Sequence, residues 1–218
     1  MTFEAIIFDM DGTLIDTDNI HFRAYQDVLA GRDKEISRDF YDAEMSGRPN
    51  LEILRDLFPD MSDEERREIM DTKEAKFRDL AEDLNPVAGL ADLLSWIDDK
   101  ELKLALVTSA PRENMEFMLQ AAGLGETFPV TVLAEELARG KPDPHPYEVC
   151  LERLSVAAEH ALVFEDSLAG VKSASSAGIL TVGMATTQKS EDLKKSGAAL
   201  VIRDFTDEAL WTVLRSEE

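Results

Sequence analysis

The sequence predicts an α/β fold: a parallel sheet wrapped by helices, with an all-helical unit inserted close to the amino terminus. Three observations carry this. From Leu90 onward, short apolar runs alternate with helical patterns, as strands covered by helices on both faces require. Residues 17–85 carry almost no strand signal. Before them stands one run, Ala5-Ile-Ile-Phe8, rich in β-branched and aromatic residues and too short for a helix that would stand alone. It reads as a strand of the later sheet.

After Asp16, Ile20, Ala24 and Leu29 with Phe22, Tyr25 and Val28 predict a helix through about Ala30. Polar and charged residues dominate through Asp42. Ser46-Gly47-Arg48-Pro49-Asn50 breaks the chain, a helix resumes from Leu51 to Phe58, and Pro59 ends it. Ser62-Asp-Glu-Glu65 has capping-box spacing and opens a helix whose apolar face is Ile69, Met70, Phe77 and Leu80. The many charges of that helix read as a solvated surface. Asn85-Pro86-Val87-Ala88-Gly89 marks a boundary, so the expected domains are 1–16 with 86–218, and 17–85. The alternation then runs through a helix at Trp96 and Ile97, strand 102–107, helix 111–121, strand 130–133, helix 146–154, strand 161–164, helix 168–177, strands 180–183 and 199–202, and a terminal helix through Leu214.

The 218 residues suffice for a substantial core. Forty-five acidic residues against 23 basic ones give a net charge of -22. That balance repels nucleic acid and anionic membrane, and neither is expected as a partner. The single Cys150 has no internal disulfide partner, which suits a reducing compartment, and its place among Tyr147, Leu151 and Leu154 reads as packing. No apolar run approaches a membrane span or a signal peptide, so a cytoplasmic protein is expected.

Chemistry concentrates at the carboxyl ends of strands, where open α/β sheets bind ligands. Asp9 and Asp11 follow the first strand, and Gly12 lets the backbone turn. Two acids there are costly unless a metal or another positive group binds. Thr108 and Ser109 follow Val107, the loop Gly140-Lys141-Pro142-Asp143-Pro144 follows the strand at Val130, and Glu165 and Asp166 follow Phe164. Taken singly, Thr108 or Ser109 is a helix N-cap ahead of Pro111, Asp166 or Ser167 is another, and Lys141 is a surface lysine. Their succession on one sheet edge distinguishes them. There is no Gly-x-Gly-x-x-Gly, no phosphate-binding P-loop, no nucleophile elbow and no His-Glu-x-x-His.

Asp9-Met-Asp11-Gly-Thr-Leu, Val107-Thr108-Ser109, Gly140-Lys141-Pro-Asp-Pro and Phe164-Glu165-Asp166-Ser-Leu-Ala-Gly170 together resemble the four motifs of the haloacid dehalogenase superfamily. The resemblance spans essentially the whole chain and implies a Rossmann-like core with a helical cap inserted after the first motif. It implies that Asp9 attacks a phosphoryl group and that Asp11 is general acid, then general base. It further implies Mg²⁺ held by Asp9, the Asp11 carbonyl and Asp166 with Glu165 nearby, and phosphate oxygens held by Thr108, Ser109 and Lys141.

Asp16-Thr17-Asp-Asn-Ile-His21 and Ser46-Gly47-Arg48 resemble the branch of β-phosphoglucomutases and sugar-phosphate phosphatases, in which His21, Arg48 and Lys73 would face the substrate. Solvent exposure is the competing expectation for Lys73, on so charged a helix. Where the mutases resembled here carry a Ser-Lys pair to grip a second phosphate, this chain has Ala110 and Pro111, which cannot donate those bonds; Arg112 is the cation left nearby. Ala110-Pro-Arg-Glu-Asn114 and Asp207-Glu-Ala-Leu-Trp211 are similar to plant-type sugar-phosphate phosphatases, and the expectation is a monomeric phosphatase of small sugar phosphates. A phospho-signalling or binding module would share an acid, Thr, Lys and metal, but has no need of Asp11.

Overall fold

The computed structural model describes residues 2–32, 34–81 and 84–215, and the chain divides into two compact units, 1–16 with 85–218 and 17–84. Strand β1 (Ala5–Phe8) is buried at all four positions. Each of its Ile and Phe side chains contributes about 1.5–3 kcal/mol by leaving water, so this short run is anchored despite its length.

The smaller unit is helical: α1 (Asp18–Ala30), α2 (Arg38–Glu44), α3 (Asn50–Leu57) and α4 (Asp63–Leu80). Tyr25, Leu29, Tyr41, Ile53, Leu54 and Ile69 are among its buried core. The capping box forms, Ser62 Oγ accepting from the Glu65 amide at 3.3 Å and the Glu65 carboxylate accepting from the Ser62 amide at 2.7 Å. Such a cap contributes about 1 kcal/mol. Helix α2 falls where the sequence shows only polar dominance, because Tyr41 is its one buried residue. It is held by Ser37 Oγ, which accepts from the Phe40 amide, and by Arg38 reaching Asp42 at 2.6 Å.

The solvated reading of α4 fails at three positions. Arg66, Lys73 and Glu74 are buried. Arg66 donates to the carbonyls of Phe58 and Pro59 beyond the end of α3, groups for which the helix offers no partner.

The larger unit continues with α5 (Leu90–Asp99), β2 (Lys103–Thr108), α6 (Arg112–Ala121), β3 (Val130–Leu133), α7 (His145–Leu154), β4 (Ala161–Glu165), α8 (Leu168–Ser176), β5 (Leu180–Met184), α9 (Ser190–Ser196), β6 (Leu200–Ile202) and α10 (Glu208–Arg215). Helix α9 is absent from the sequence expectation; it buries only Leu193, too little for a period to show. The strands are all parallel, in the order β3-β2-β1-β4-β5-β6. The chain therefore builds one side from β1 and crosses to the other at β4. The switch point lies between β1 and β4, the place at which open α/β sheets bind their ligands.

Register fixes what meets there. Phe8 lies opposite Phe164, and the Asp9 amide donates to the Phe164 carbonyl at 3.0 Å. Alternation along the strands puts Ile7, Val107 and Val163 against Tyr147, Cys150 and Leu154 of α7. Phe8 and Phe164 stack on the opposite face, centroids 5.0 Å apart, and both meet Phe205. Glu165 continues the Ala161–Val163 side and so belongs to the α7 face. Burial pushes the Cys150 thiol up to about 12, which leaves it a packing residue. No helix among the described residues is long and apolar enough to cross a membrane.

Candidate active site

Beyond β1 the chain turns back at once: the Leu14 amide donates to the Met10 carbonyl and the Gly12 amide to the Ile15 carbonyl. Gly12 has φ +74°, and a Cβ there would stand 2.3 Å from an Asp166 carboxylate oxygen. Only glycine permits both the turn and the approach. Thr186, two residues past β5, donates to the Gly12 carbonyl at 2.5 Å and ties this turn to the end of a strand two places away in the sheet.

The side chains of Asp9, Glu165 and Asp166 are buried and bring oxygens within 4.8 Å of one another. Lys141 enters among them. Its ammonium donates to Asp9 Oδ1 at 2.6 Å, to Glu165 Oε1 at 2.5 Å and to the Val107 carbonyl at 2.9 Å, which uses all three N–H donors. Tyr147 of α7 donates to Glu165 Oε1 at 2.8 Å, and the Ser167 amide and hydroxyl reach Glu165 Oε2. Thr187 donates to Asp166 Oδ2 at 2.5 Å.

Burial, reinforced by Glu165 and Asp166, raises Asp9 well above the usual carboxylate range, although Lys141 pulls the other way. Asp166 is likewise raised, by burial and by Glu165, against the Thr187 hydrogen bond. Burial opposes the charge on Lys141, but Asp9 and Glu165 outweigh it and hold the ammonium protonated. Three carboxylates thus face one cation. The deficit of two charges and the all-oxygen donor set fit a hard divalent ion.

Of the other residues expected here, Asp11 is half-buried, and its charge pushes Asp166 upward. Thr108 is buried at the end of β2, its hydroxyl accepting from the Ala110 amide at 3.0 Å, while Ser109 is exposed. Thr108 is not the cap of α6: Pro111 occupies that position without a side-chain bond. Ser167 does cap α8, accepting from the Gly170 amide at 2.9 Å, which leaves Asp166 to the acid cluster.

In the helical unit, Lys73 lies 2% exposed, against the solvent-exposed alternative. Its ammonium contacts His21 Nδ1 at 2.8 Å and Glu74 Oε1 at 2.9 Å. Arg48 is bound to Asp56 and to the Glu44 carbonyl, both at 2.7 Å.

The family model of haloacid dehalogenase-like hydrolases matches residues 6–184. The chain belongs to this family. A Thermotoga maritima protein described as a phosphorylated carbohydrates phosphatase is 37% identical over 180 residues, covering 81% of this chain and 82% of its own. The validoxylamine A 7'-phosphate phosphatase of Streptomyces hygroscopicus subsp. limoneus is 30% identical, covering 94% and 95%. A solved structure of CbbY from Rhodobacter sphaeroides, a mutant in complex with xylulose-(1,5)bisphosphate, superposes with a TM-score of 0.84 at 26% identity, covering 94% and 96%. This hydrolase therefore carries a family-type phosphatase core with a clustered set of acids.

Sequence reasoning missed Tyr147, Thr186 and Thr187 in the hydrolase site. Periodicity marks Tyr147 as buried but says nothing of its hydroxyl. Its single signal was a phenol on an otherwise apolar helix face, since a buried Tyr hydroxyl usually has a partner. Gly170 is a second finding: a Cβ there would lie 1.8–2.0 Å from the Glu165 carboxyl group. With Glu165 pinned by Lys141 and Tyr147, Gly170→Ala should lower stability by about 2 kcal/mol, measured by urea unfolding. An unchanged midpoint would show that Glu165 moves freely.

Proposed function

We propose that this hydrolase is a Mg²⁺-dependent phosphatase of small sugar phosphates that works through an aspartyl phosphate on Asp9. The observation that carries it is the buried contact of Lys141 with Asp9 and Glu165, in a cluster short of two positive charges.

Asp9, the Asp11 carbonyl and Asp166 would hold Mg²⁺, with Glu165 adjoining; when bound, the ion supplies the charge that lets a carboxylate meet a phosphate dianion. Lys141 favours the Asp9 carboxylate, opposing the burial and the neighbouring acids that push it toward protonation. An Asp9 oxygen forms a bond to phosphorus as the bond to the sugar oxygen breaks. Asp11 gives that oxygen its proton. Asp11, now a carboxylate, takes a proton from water as the water attacks phosphorus, which frees Asp9 and releases phosphate. Thr108, Ser109 and nearby amides would hold the remaining phosphoryl oxygens, with Lys141 exchanging one of its three contacts to join them.

The alternative of a phosphohexomutase needs a second phosphate grip. Arg112, the cation left near Ala110 and Pro111, is ion-paired with Glu136 and lies 3.7 Å from Glu116, and its amide donates to Glu135. The Thermotoga relative's description as a phosphatase supports the same choice. The test is Mg²⁺-dependent phosphate release over hexose, pentose and small phosphates, beside isomerisation of β-glucose 1-phosphate with a bisphosphate primer. Release is expected; isomerisation without release would overturn the phosphatase reading.

A further inference from the structure

Between Lys141 and Tyr147, whose polar ends meet on Glu165 Oε1, the chain passes through a loop rich in proline. Pro142, Pro144 and Pro146 have no amide N–H, so Asp143 and His145 supply the only backbone donors from 142 to 146. Both bonds involve Asp143. Its amide donates to the Gly140 carbonyl at 3.0 Å, and its Oδ1 accepts from the His145 amide at 3.0 Å. Asp143 Oδ2 accepts from Arg139 at 3.0 Å, and the Asp143 carbonyl accepts from the hydroxyl of Ser173 on α8 at 2.5 Å. Ser173 is fully buried.

Asp143 thus stands two residues after Lys141 and four before Tyr147, where the loop is bonded both to itself and to α8. Helix α8 begins just after Asp166 and Ser167, and Ser167 reaches the other oxygen of Glu165. The Ser173–Asp143 bond therefore joins the segment that brings Lys141 and Tyr147 to Glu165 with the segment that brings Ser167 to it. The ion pair with Arg139, whose side chain is 59% exposed, adds little to this. What holds the loop is the oxygen beside the His145 amide and the carbonyl beside Ser173. Lys141 already uses all three N–H donors, so any displacement of its backbone breaks a bond to Asp9, Glu165 or Val107.

We propose that Asp143, anchored by Ser173, is a positioning residue that sets where the Lys141 ammonium stands. It acts through the loop rather than on the reacting atoms, and only its bearing on turnover rests on the phosphatase reading. A side chain that keeps an oxygen beside the His145 amide should keep the loop in place; one without that oxygen should release it. Misplacing a group at the chemistry by about 1 Å costs up to about 100-fold in rate, so a partial release of Lys141 is readily measured.

The experiment follows Lys141 itself. Reductive dimethylation with formaldehyde and cyanoborohydride labels a buried amine only as it opens to solvent, and mass spectrometry reads each lysine separately. The side chains of Lys141 and Lys73 are 6% and 3% exposed, so Lys73 reports any general loosening of the protein. Asp143→Ala should speed Lys141 labelling by about tenfold and leave Lys73 as it was, because one local hydrogen-bonded contact is lost. Asp143→Asn keeps the oxygen and should label Lys141 within about twofold of the wild-type rate. Mg²⁺-dependent turnover of p-nitrophenyl phosphate should follow the labelling, with kcat/KM lowered about tenfold in Asp143→Ala and restored in Asp143→Asn. Unchanged Lys141 labelling in Asp143→Ala, a rise shared by Lys73, or no restoration by Asn overturns the proposal. If Asp143→Ala does not fold, Ser173→Ala decides on the same measurement, with a rise of about threefold at Lys141 alone expected. Wild-type protein that turns over no p-nitrophenyl phosphate would strike the phosphatase reading and leave the labelling result standing.

Discussion

Asp9→Asn should lower Mg²⁺-dependent phosphate release by at least about 10⁴-fold, because the amide cannot serve as the attacking oxygen. Asp11→Asn should cost about 10³-fold, the range of a lost general acid–base, and should let a little phosphoenzyme accumulate, because attack survives in part while hydrolysis does not. Acid-quench trapping with a ³²P-labelled substrate separates the two: label on the Asp11→Asn protein, none on Asp9→Asn. Neither change should unfold the protein. Asn keeps the shape of Asp9, and the buried carboxylate it replaces is already pushed toward protonation by burial, Glu165 and Asp166. Full Mg²⁺-dependent activity in purified Asp9→Asn protein would sink the mechanism.

That Asp9 and Asp11 were legible in the sequence follows from where they sit. A buried run ending in two acids has no cheap structural explanation, so the cost itself is the signal. The sheet was legible for a similar reason: strands buried on both faces write continuous apolar runs, and β1, β2 and β4 do so. Elements that bury one residue write nothing. Helix α2 has Tyr41 and α9 has Leu193, and neither leaves a period that a local window can read.

The site's supporting groups were hidden because their partners are remote in sequence. Tyr147 meets Glu165 only because α7 covers the odd-numbered side of β4, and Thr187 meets Asp166 only because β5 pairs with β4. Lys73 shows the limit of charge patterning most clearly. On α4 it stands in a run of acids and bases that is solvated almost everywhere, and what buries it is α1, with His21 and Tyr25, together with Asn50 of α3. No local window contains those residues.

Mg²⁺ should stabilise the protein, and Asp166→Asn should reverse the balance between the metal-free and metal-loaded forms. At a concentration 100 times its dissociation constant, the ion adds about 2.7 kcal/mol through mass action, roughly 5–10 °C in Tm for a chain of this size. In EDTA the wild-type site holds Asp9, Glu165 and Asp166 against Lys141 alone, and both Asp9 and Asp166 are raised by burial and mutual repulsion. Removing one of those charges should therefore stabilise the metal-free protein by about 1–2 kcal/mol. Asn still offers an oxygen to Thr187 and occupies the same space beside Gly12. The same variant should lose most of the Mg²⁺-dependent rise, since it offers a neutral ligand where a carboxylate stood. Thr187→Val tests the support rather than the ligand: it should weaken Mg²⁺ affinity by about tenfold in calorimetry, with Thr187→Ser restoring it. A metal-free Tm that falls in Asp166→Asn while the Mg²⁺ shift stays intact would place the ion elsewhere. The opposite result would mean that the cluster is destabilised in the resting protein by the same charges that recruit its metal.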